Sequence, residues 1–263
     1  MNYPYFKELS DYLVADSFFA KSEAVKTITA LGMHFVSRLR DDVVVMDCDY
    51  PQWSVHKLRK RETEQVSKNA FYLKKAKGLF QEIGKWTYPV VPTQPEKVLE
   101  DTLRFLSNEK EKYDLVLFDL PGTVNNKSVI QVYFNMDYLF VPITTSRINM
   151  ESTLSFIVTI NDILKASSSI PLKNIFPFWN RIMHRERREL LACYEGAIAE
   201  LGVSIMQTRI PNSVRFDREQ SITGKDRLFL STVFPPDKPL LKGSNWGLFI
   251  SEFLKLTDLK RQV

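Results

Sequence analysis

With 263 residues, 44% of them apolar and including 18 Phe, 10 Tyr and 4 Trp, the chain can bury a sizeable core, which excludes a disordered, tail-like protein. Thirty-six Lys and Arg against 31 Asp and Glu leave a formal charge of +5, which permits nucleic-acid contact without requiring it. No apolar run approaches the roughly 18 residues that span a bilayer, the first ten residues lack a signal-peptide core, and two cysteines build neither a disulfide framework nor a zinc cluster, so a cytoplasmic protein without membrane contact is expected.

A weak strand over residues 12–15 opens the pattern, and a helical stretch over 22–38 separates it from a continuous apolar run at 43–46. Residues 54–84 read as a long helical stretch rich in Lys, Arg and Glu, either an inserted hairpin or a solvated helix. A helix over 95–108 carries Val98, Leu99, Leu103 and Leu106 on one face, with Pro95 suited to its first turn. Apolar runs at 115–118 and 138–141 follow, then a helix at 149–164 and a run at 175–179. A helix at 185–201, a later strand at 203–210 and a helix at 246–259 complete the reading. Runs that do not alternate with polar residues fit strands buried on both faces. Strand and helix alternate, which predicts a single α/β domain over 1–263: a doubly wound, mostly parallel sheet with helices on both faces and right-handed crossovers.

In such sheets ligands bind at the carboxyl ends of the strands. Two runs end there in acid: 43–46 leads into Asp47-Cys48-Asp49-Tyr50-Pro51-Gln52, and 115–118 into Asp119-Leu120-Pro121-Gly122-Thr123. Carboxylates so placed suit a hydrated Mg²⁺ beside phosphates, with Asp47 and Asp119 at the metal and Asp49 reaching past it to orient water. Pro121-Gly122 allows a sharp turn whose N–H approaches a terminal phosphate. Acids at strand ends also serve as ordinary turn formers, so both uses stay open at this point.

A phosphate site of this layout needs a glycine-rich loop after the first strand, so that consecutive N–H groups can wrap the anion. The chain holds only nine glycines, none in a G-x-G, and the corresponding stretch is Lys21-Ser22-Glu23-Ala24-Val25-Lys26-Thr27-Ile28. This stretch resembles a degenerate copy of the KGGVGKTT loop of the ParA/MinD-type deviant Walker A ATPases, a P-loop NTPase family. Residues 47–52 resemble that family's switch I, and Tyr113 to Gly122 its Walker B and switch II. The stretch from Phe229 to Asn245 looks like ParA-like proteins of conjugative elements, the TraA type.

The resemblance implies ATP and Mg²⁺ as cofactors. It places Lys26, Thr27 and Gly122 at the phosphates, Thr27 with Asp47 and Asp119 at the metal, and Asn180 and Pro211 near the base. It also implies a homodimer in which Lys21 of one copy reaches the other's phosphates while Asp49 orients water. Ser22, Glu23 and Val25 stand where the family has glycine. Non-glycine residues at positive φ cost roughly 1 kcal/mol or more each, the β-branched valine most of all. Glu23 adds a negative charge facing a polyphosphate, so little or no ATP turnover is expected.

Arg181, Arg185, Arg187 and Arg188, with His184, form a basic cluster read as the start of a helix. It is a candidate surface for non-specific DNA, or simply a solvated face. Cys48, between two acids at a strand end, reads as a small packed residue rather than a nucleophile. An unidentified protein partner completes the expectation, which points to DNA partition or mobile-element maintenance.

Overall fold

In a computed structural model of the chain, the described residues are 10–18, 43–84, 86–109, 112–121, 126–167, 169–221 and 226–259. The expected helix at 22–38 lies outside them. Among these residues six strands form one sheet: β1 (Ser10–Phe18), β2 (Val43–Asp47), β3 (Val90–Pro92), β4 (Tyr113–Pro121), β5 (Tyr138–Ile143) and β6 (Asn174–Trp179). Their order is β3-β2-β4-β1-β5-β6, and every neighbouring pair is parallel. The described helices are α1 (Ser54–Lys68), α2 (Ala70–Ile83), α3 (Val98–Asn108), α4 (Lys127–Tyr133), α5 (Arg147–Ala166), α6 (Arg188–Glu200), α7 (Lys238–Leu241) and α8 (Trp246–Thr257).

Alternate residues of β2, β4, β5 and β6 feed two cores. Val44, Met46, Val116 and Phe118 pack with α3, α4, α5 and α6, through residues such as Leu106, Tyr133, Phe156 and Ile198. Val43, Val45, Leu115 and Leu117 pack on the opposite face with Val55 and Leu58 of α1 and Phe249, Ile250 and Phe253 of α8. Helices on both faces account for strands without polar alternation, and the expected doubly wound class is the one observed.

Several boundaries differ from the sequence reading. The short strand β3 has only partly buried valines, too brief a run to stand out from the sequence. The helix read from 95 starts at Val98, because residues 95–97 form a turn in which the Lys97 N–H donates to the Gln94 carbonyl (2.9 Å). The strand expected at 203–210 is not a strand. Met206 and Ile210 donate to the Pro177 and Trp179 carbonyls of β6 (both 2.8 Å), but the amides of Gln207 and Thr208 turn to the Glu252 carboxylate (2.6 and 2.8 Å), leaving one bridge between Ile182 and Pro211.

Residues 54–84 form two helices that meet at Asn69, whose backbone is extended and whose side chain accepts from the Phe71 and Tyr72 amides. The segment is not merely a solvated helix. Tyr72 and Ala76 of α2 pack on Leu228, Val233 and Phe234. Arg59 of α1 donates to Thr232 Oγ1 and O (2.9 and 2.8 Å), to Thr87 Oγ1 (2.9 Å) and to the Tyr88 carbonyl (2.7 Å). Glu62 is 1% exposed, and its Oε2 accepts from the Thr232 N–H (2.7 Å) and hydroxyl (2.5 Å).

Burial raises the Glu62 carboxyl above its ordinary value of 4.5, outweighing the hydrogen bonds and the Arg59 charge that lower it. A raised folded value means that the folded state holds the proton longer than the unfolded one. The stability Glu62 lends is therefore full below 4.5 and falls as pH rises through the raised value. Glu62→Gln keeps the accepting oxygen and cannot ionise. Its melting temperature is expected to gain on that of wild type between pH 4.5 and neutrality, as thermal unfolding across that range will show.

Candidate functional site

Asp47 closes β2 and is the register partner of Asp119 on β4. By alternation both lie on the face of the sheet that carries Val43, Val45, Leu115 and Leu117. Their side chains are 0% and 3% exposed. Asp16 of β1 is the register partner of Asp119 on its other side, so one backbone row holds three aspartates across adjacent strands. The sequence reading stopped the first strand at Ala15 and missed Asp16; an acid directly behind an apolar run was the available signal. The row borders the β4–β1 junction, where the connections to β2 and β5 leave in opposite directions, the position at which doubly wound sheets open a crevice.

Asp47 is held by its own loop. The His56 N–H donates to Oδ2 (2.8 Å) and the Asp49 N–H to Oδ1 (3.4 Å). His56 lies in the first turn of α1, where Trp53 at the cap position offers no side-chain acceptor, so Asp47 caps that helix from the adjoining strand. Burial raises the Asp47 carboxyl above 3.8, more than these bonds lower it, and the neighbouring Asp49 adds to the rise. A buried carboxylate whose charge is so penalised fits a cation. Two of its four lone-pair positions are taken by backbone, which leaves acceptor capacity for a water-bridged Mg²⁺. Among the described residues, no group of three or more His, Cys, Asp or Glu side chains is placed to hold a metal by itself. Asp47 and Asp119 therefore bring two carboxylates to the site, too few to hold a metal without further oxygen ligands.

Asp49 is half-buried and accepts from Ser54 Oγ at 3.1 Å. Its carbonyl accepts from the Gln52 and Trp53 amides (both 2.7 Å), closing the turn into α1. Trp53 takes a left-handed backbone conformation (φ 43°), strained for an aromatic residue. Its indole N–H donates to the Thr93 carbonyl (2.9 Å), and its ring meets Tyr50 edge-on at 5.3 Å. Ser54, His56, Trp53 and Thr93 are supports that sequence reasoning passed over, since each looks ordinary until the loop is folded. Cys48 is fully buried, its thiol pushed well up by burial and by Asp119 and Asp47, which fits a packed residue and not a nucleophile. Cys193, on α6, is exposed.

On the far side of β1 and β5, Asn180 follows β6, is 4% exposed, and donates its N–H to the Ile143 carbonyl (2.8 Å). Pro211 joins Ile182 in the bridge beside it, so the two candidate base-side residues share one edge. Three strand spacings separate β4 from β6, roughly 14 Å, a span suited to a nucleotide laid from phosphate to base. Lys21, Lys26, Thr27 and Gly122 lie outside the described residues.

The basic cluster needs one correction. Arg181, Arg185 and Arg187 precede α6, and only Arg188 belongs to it. Residues 183–186 form a turn in which the Glu186 N–H donates to the Met183 carbonyl (3.0 Å), while Thr145 Oγ1 donates to the Glu186 carboxylate (2.7 Å). That anchored turn delays the helix. All four arginines are exposed, on a loop and first turn at the site's rim.

The order of the parallel strands and the helices on both faces give a doubly wound α/β fold of the P-loop NTPase-like class. Within that class the architecture is that of the ParA/MinD-type ATPases. A plasmid partition protein from Borrelia burgdorferi B31 bound to AMPPNP superposes with a TM-score of 0.58 at 15% identity, over 93% of this chain and 99% of that one. A ParA family ATPase from Chlorobium tepidum gives 0.54 at 14%, covering 93% and 97%. The MinD cell division protein of Aquifex aeolicus gives 0.53 at 14%, covering 95% and 98%. No protein-family model matches the sequence, and no curated protein matches it either. Among the described residues no helix is long and apolar enough to cross a membrane.

Proposed function

We propose that this chain is a ParA-like nucleotide-switch protein that serves DNA partition or the maintenance of a conjugative or other mobile element. In this reading it holds Mg²⁺ and ATP weakly, hydrolyses little or none, and works through DNA and protein contacts. The observation that carries the reading is the buried, in-register pair Asp47 and Asp119 at the crevice of the sheet. Asp47, Asp119 and Thr27 would hold Mg²⁺, which neutralises phosphate charge. Lys26 and Gly122 would contact the phosphates, and Asn180 and Pro211 the base. Asp49, fixed by Ser54, would orient water, and Lys21 would reach a second copy. Ser22, Glu23 and Val25 at the glycine positions are why the site is assigned weak affinity. An ATPase rate above background that Lys26→Ala abolishes would replace this reading with that of a working partition ATPase.

A second feature supports the contacts. Tyr50, Ile148, Met183 and Val214 are 51, 76, 55 and 79% exposed. They lie in segments that follow β2, β5, β6 and the Ile182–Pro211 bridge, around the carboxyl rim of the sheet. An apolar rim around the site suits a second copy or a protein partner seated over it.

DNA contact is tested separately. The combined change Arg185→Glu, Arg187→Glu and Arg188→Glu is expected to weaken binding to random duplex DNA at least ten-fold at low salt. It should also flatten the dependence of log K on log salt by about 0.9 for each phosphate that is no longer neutralised. Fluorescence anisotropy from 50 to 200 mM salt measures both; wild-type DNA binding that this variant leaves unchanged removes the cluster from the reading. Absence of salt-dependent binding in wild type favours a purely structural interaction module.

A further inference from the structure

The first turn of α1 carries two supports of the acidic loop: the His56 N–H on Asp47 and Ser54 Oγ on Asp49. This helix has little apolar surface to dock with, since its buried residues are Val55, Leu58 and Glu62. Hydrophobic burial fixes its first turn and a half, and near its other end Val66 packs on the cluster of Tyr72, Leu228 and Phe234. Between these apolar ends the buried fixed points are polar, and those of Arg59 and Glu62 converge on Thr232. Arg59 Nε donates to Thr232 Oγ1 and Arg59 Nη2 to the Thr232 carbonyl, while the Thr232 amide and hydroxyl both donate to Glu62. One threonine, 0% exposed, thus uses its N–H, its C=O and both functions of its hydroxyl on two residues one helical turn apart. The guanidinium also lies 4.6 Å from the centre of the Tyr88 ring, which closes the far side of the clamp. From Glu62 back to His56 is six residues of continuous helix, about 9 Å, short enough to act as a rigid rod.

We propose that Thr232, through Arg59 and Glu62, is a positioning residue for Asp47 and Asp49. It touches neither, but it sets the height and rotation of the helix whose first turn holds them. The role rests on the reading that those carboxylates serve Mg²⁺ and nucleotide, and the test separates the two.

Thr232→Val keeps the shape, the N–H and the C=O but removes the hydroxyl, so Arg59 Nε loses its acceptor and Glu62 one donor. In the full-length protein without nucleotide, hydrogen exchange of the Asp49 and His56 amides is expected to quicken about ten-fold, with β5 and α8 unchanged within two-fold. Thr232→Ser, which retains the hydroxyl, should restore wild-type exchange. Exchange at 49 and 56 that matches wild type, or that quickens equally throughout the chain, overturns the proposal. If Thr232→Val does not fold, Arg59→Lys, which keeps the charge and loses the planar fork, is read in the same way. Mg²⁺ and ATP are then titrated by calorimetry. Where wild type binds, the variant should bind at least three-fold more weakly; equal affinity despite a loosened loop overturns the positioning role. Where wild type does not bind, the proposed function fails, and the exchange result still decides this inference.

Discussion

Restoring glycine at positions 22, 23 and 25 together should tighten binding of Mg²⁺ and ATP by roughly 100-fold. Each non-glycine residue at positive φ costs at least about 1 kcal/mol. In the proposed reading these three positions take the glycine conformations of the family loop, which totals about 3 kcal/mol, and 1.4 kcal/mol is a factor of ten in affinity. Removing the Glu23 charge acts in the same direction, and its size depends on whether that side chain faces the phosphates or pairs with Lys21 or Lys26. The acceptor side needs no rebuilding, because Asp47 and Asp119 already stand in register at the crevice. Calorimetry on wild type and the triple variant measures the ratio. Equal affinities would show that the loop is not what limits the site.

Asp47→Ala should lower the melting temperature by about 4–8 °C, whereas Asp49→Ala should change it by no more than about 2 °C. The first change strips the acceptor from two backbone N–H groups, at Asp49 and His56. A buried donor left without a partner costs about 1–3 kcal/mol. Relief of the burial penalty on the carboxylate offsets part of this, leaving about 2 kcal/mol, and each kcal/mol moves a chain of this size by roughly 2–4 °C. The second change removes one bond from Ser54 in a half-buried loop. The pair separates scaffold from chemistry: a nucleotide response lost in Asp49→Ala without loss of stability belongs to the site itself. Thermal unfolding with and without Mg²⁺ and ATP reads both quantities.

The fold was legible because strands buried on both faces leave unbroken apolar runs, and Val43 to Met46 and Leu115 to Phe118 did so with an acid directly behind each. What escaped was whatever depends on distant partners. Residues 207 and 208 look like strand, but Glu252, more than forty residues later, takes their amides. Arg185 and Arg187 look like the start of a helix, but the anchored 183–186 turn holds it back to Arg188. Charged α1 looked solvated because no local pattern announces that Arg59 and Glu62 meet Thr232, 170 residues beyond Glu62. The acids of the site were readable singly. That one of them also caps a helix was not, since the cap comes from another strand.

The two cysteines have a practical consequence. Cys48 is sealed beneath the acidic loop with its thiol held protonated by its surroundings, while Cys193 stands open on α6, five residues past Arg188. The chain contains no other thiol. Maleimide chemistry on the natural sequence therefore places one dye, at one position, on the helix that Arg188 opens, with no cysteine to remove beforehand. A fluorophore there would brighten or quench as polyanions arrive, and two labelled copies would exchange energy if the rims meet, so occupancy and pairing become readable in real time from unmutated protein.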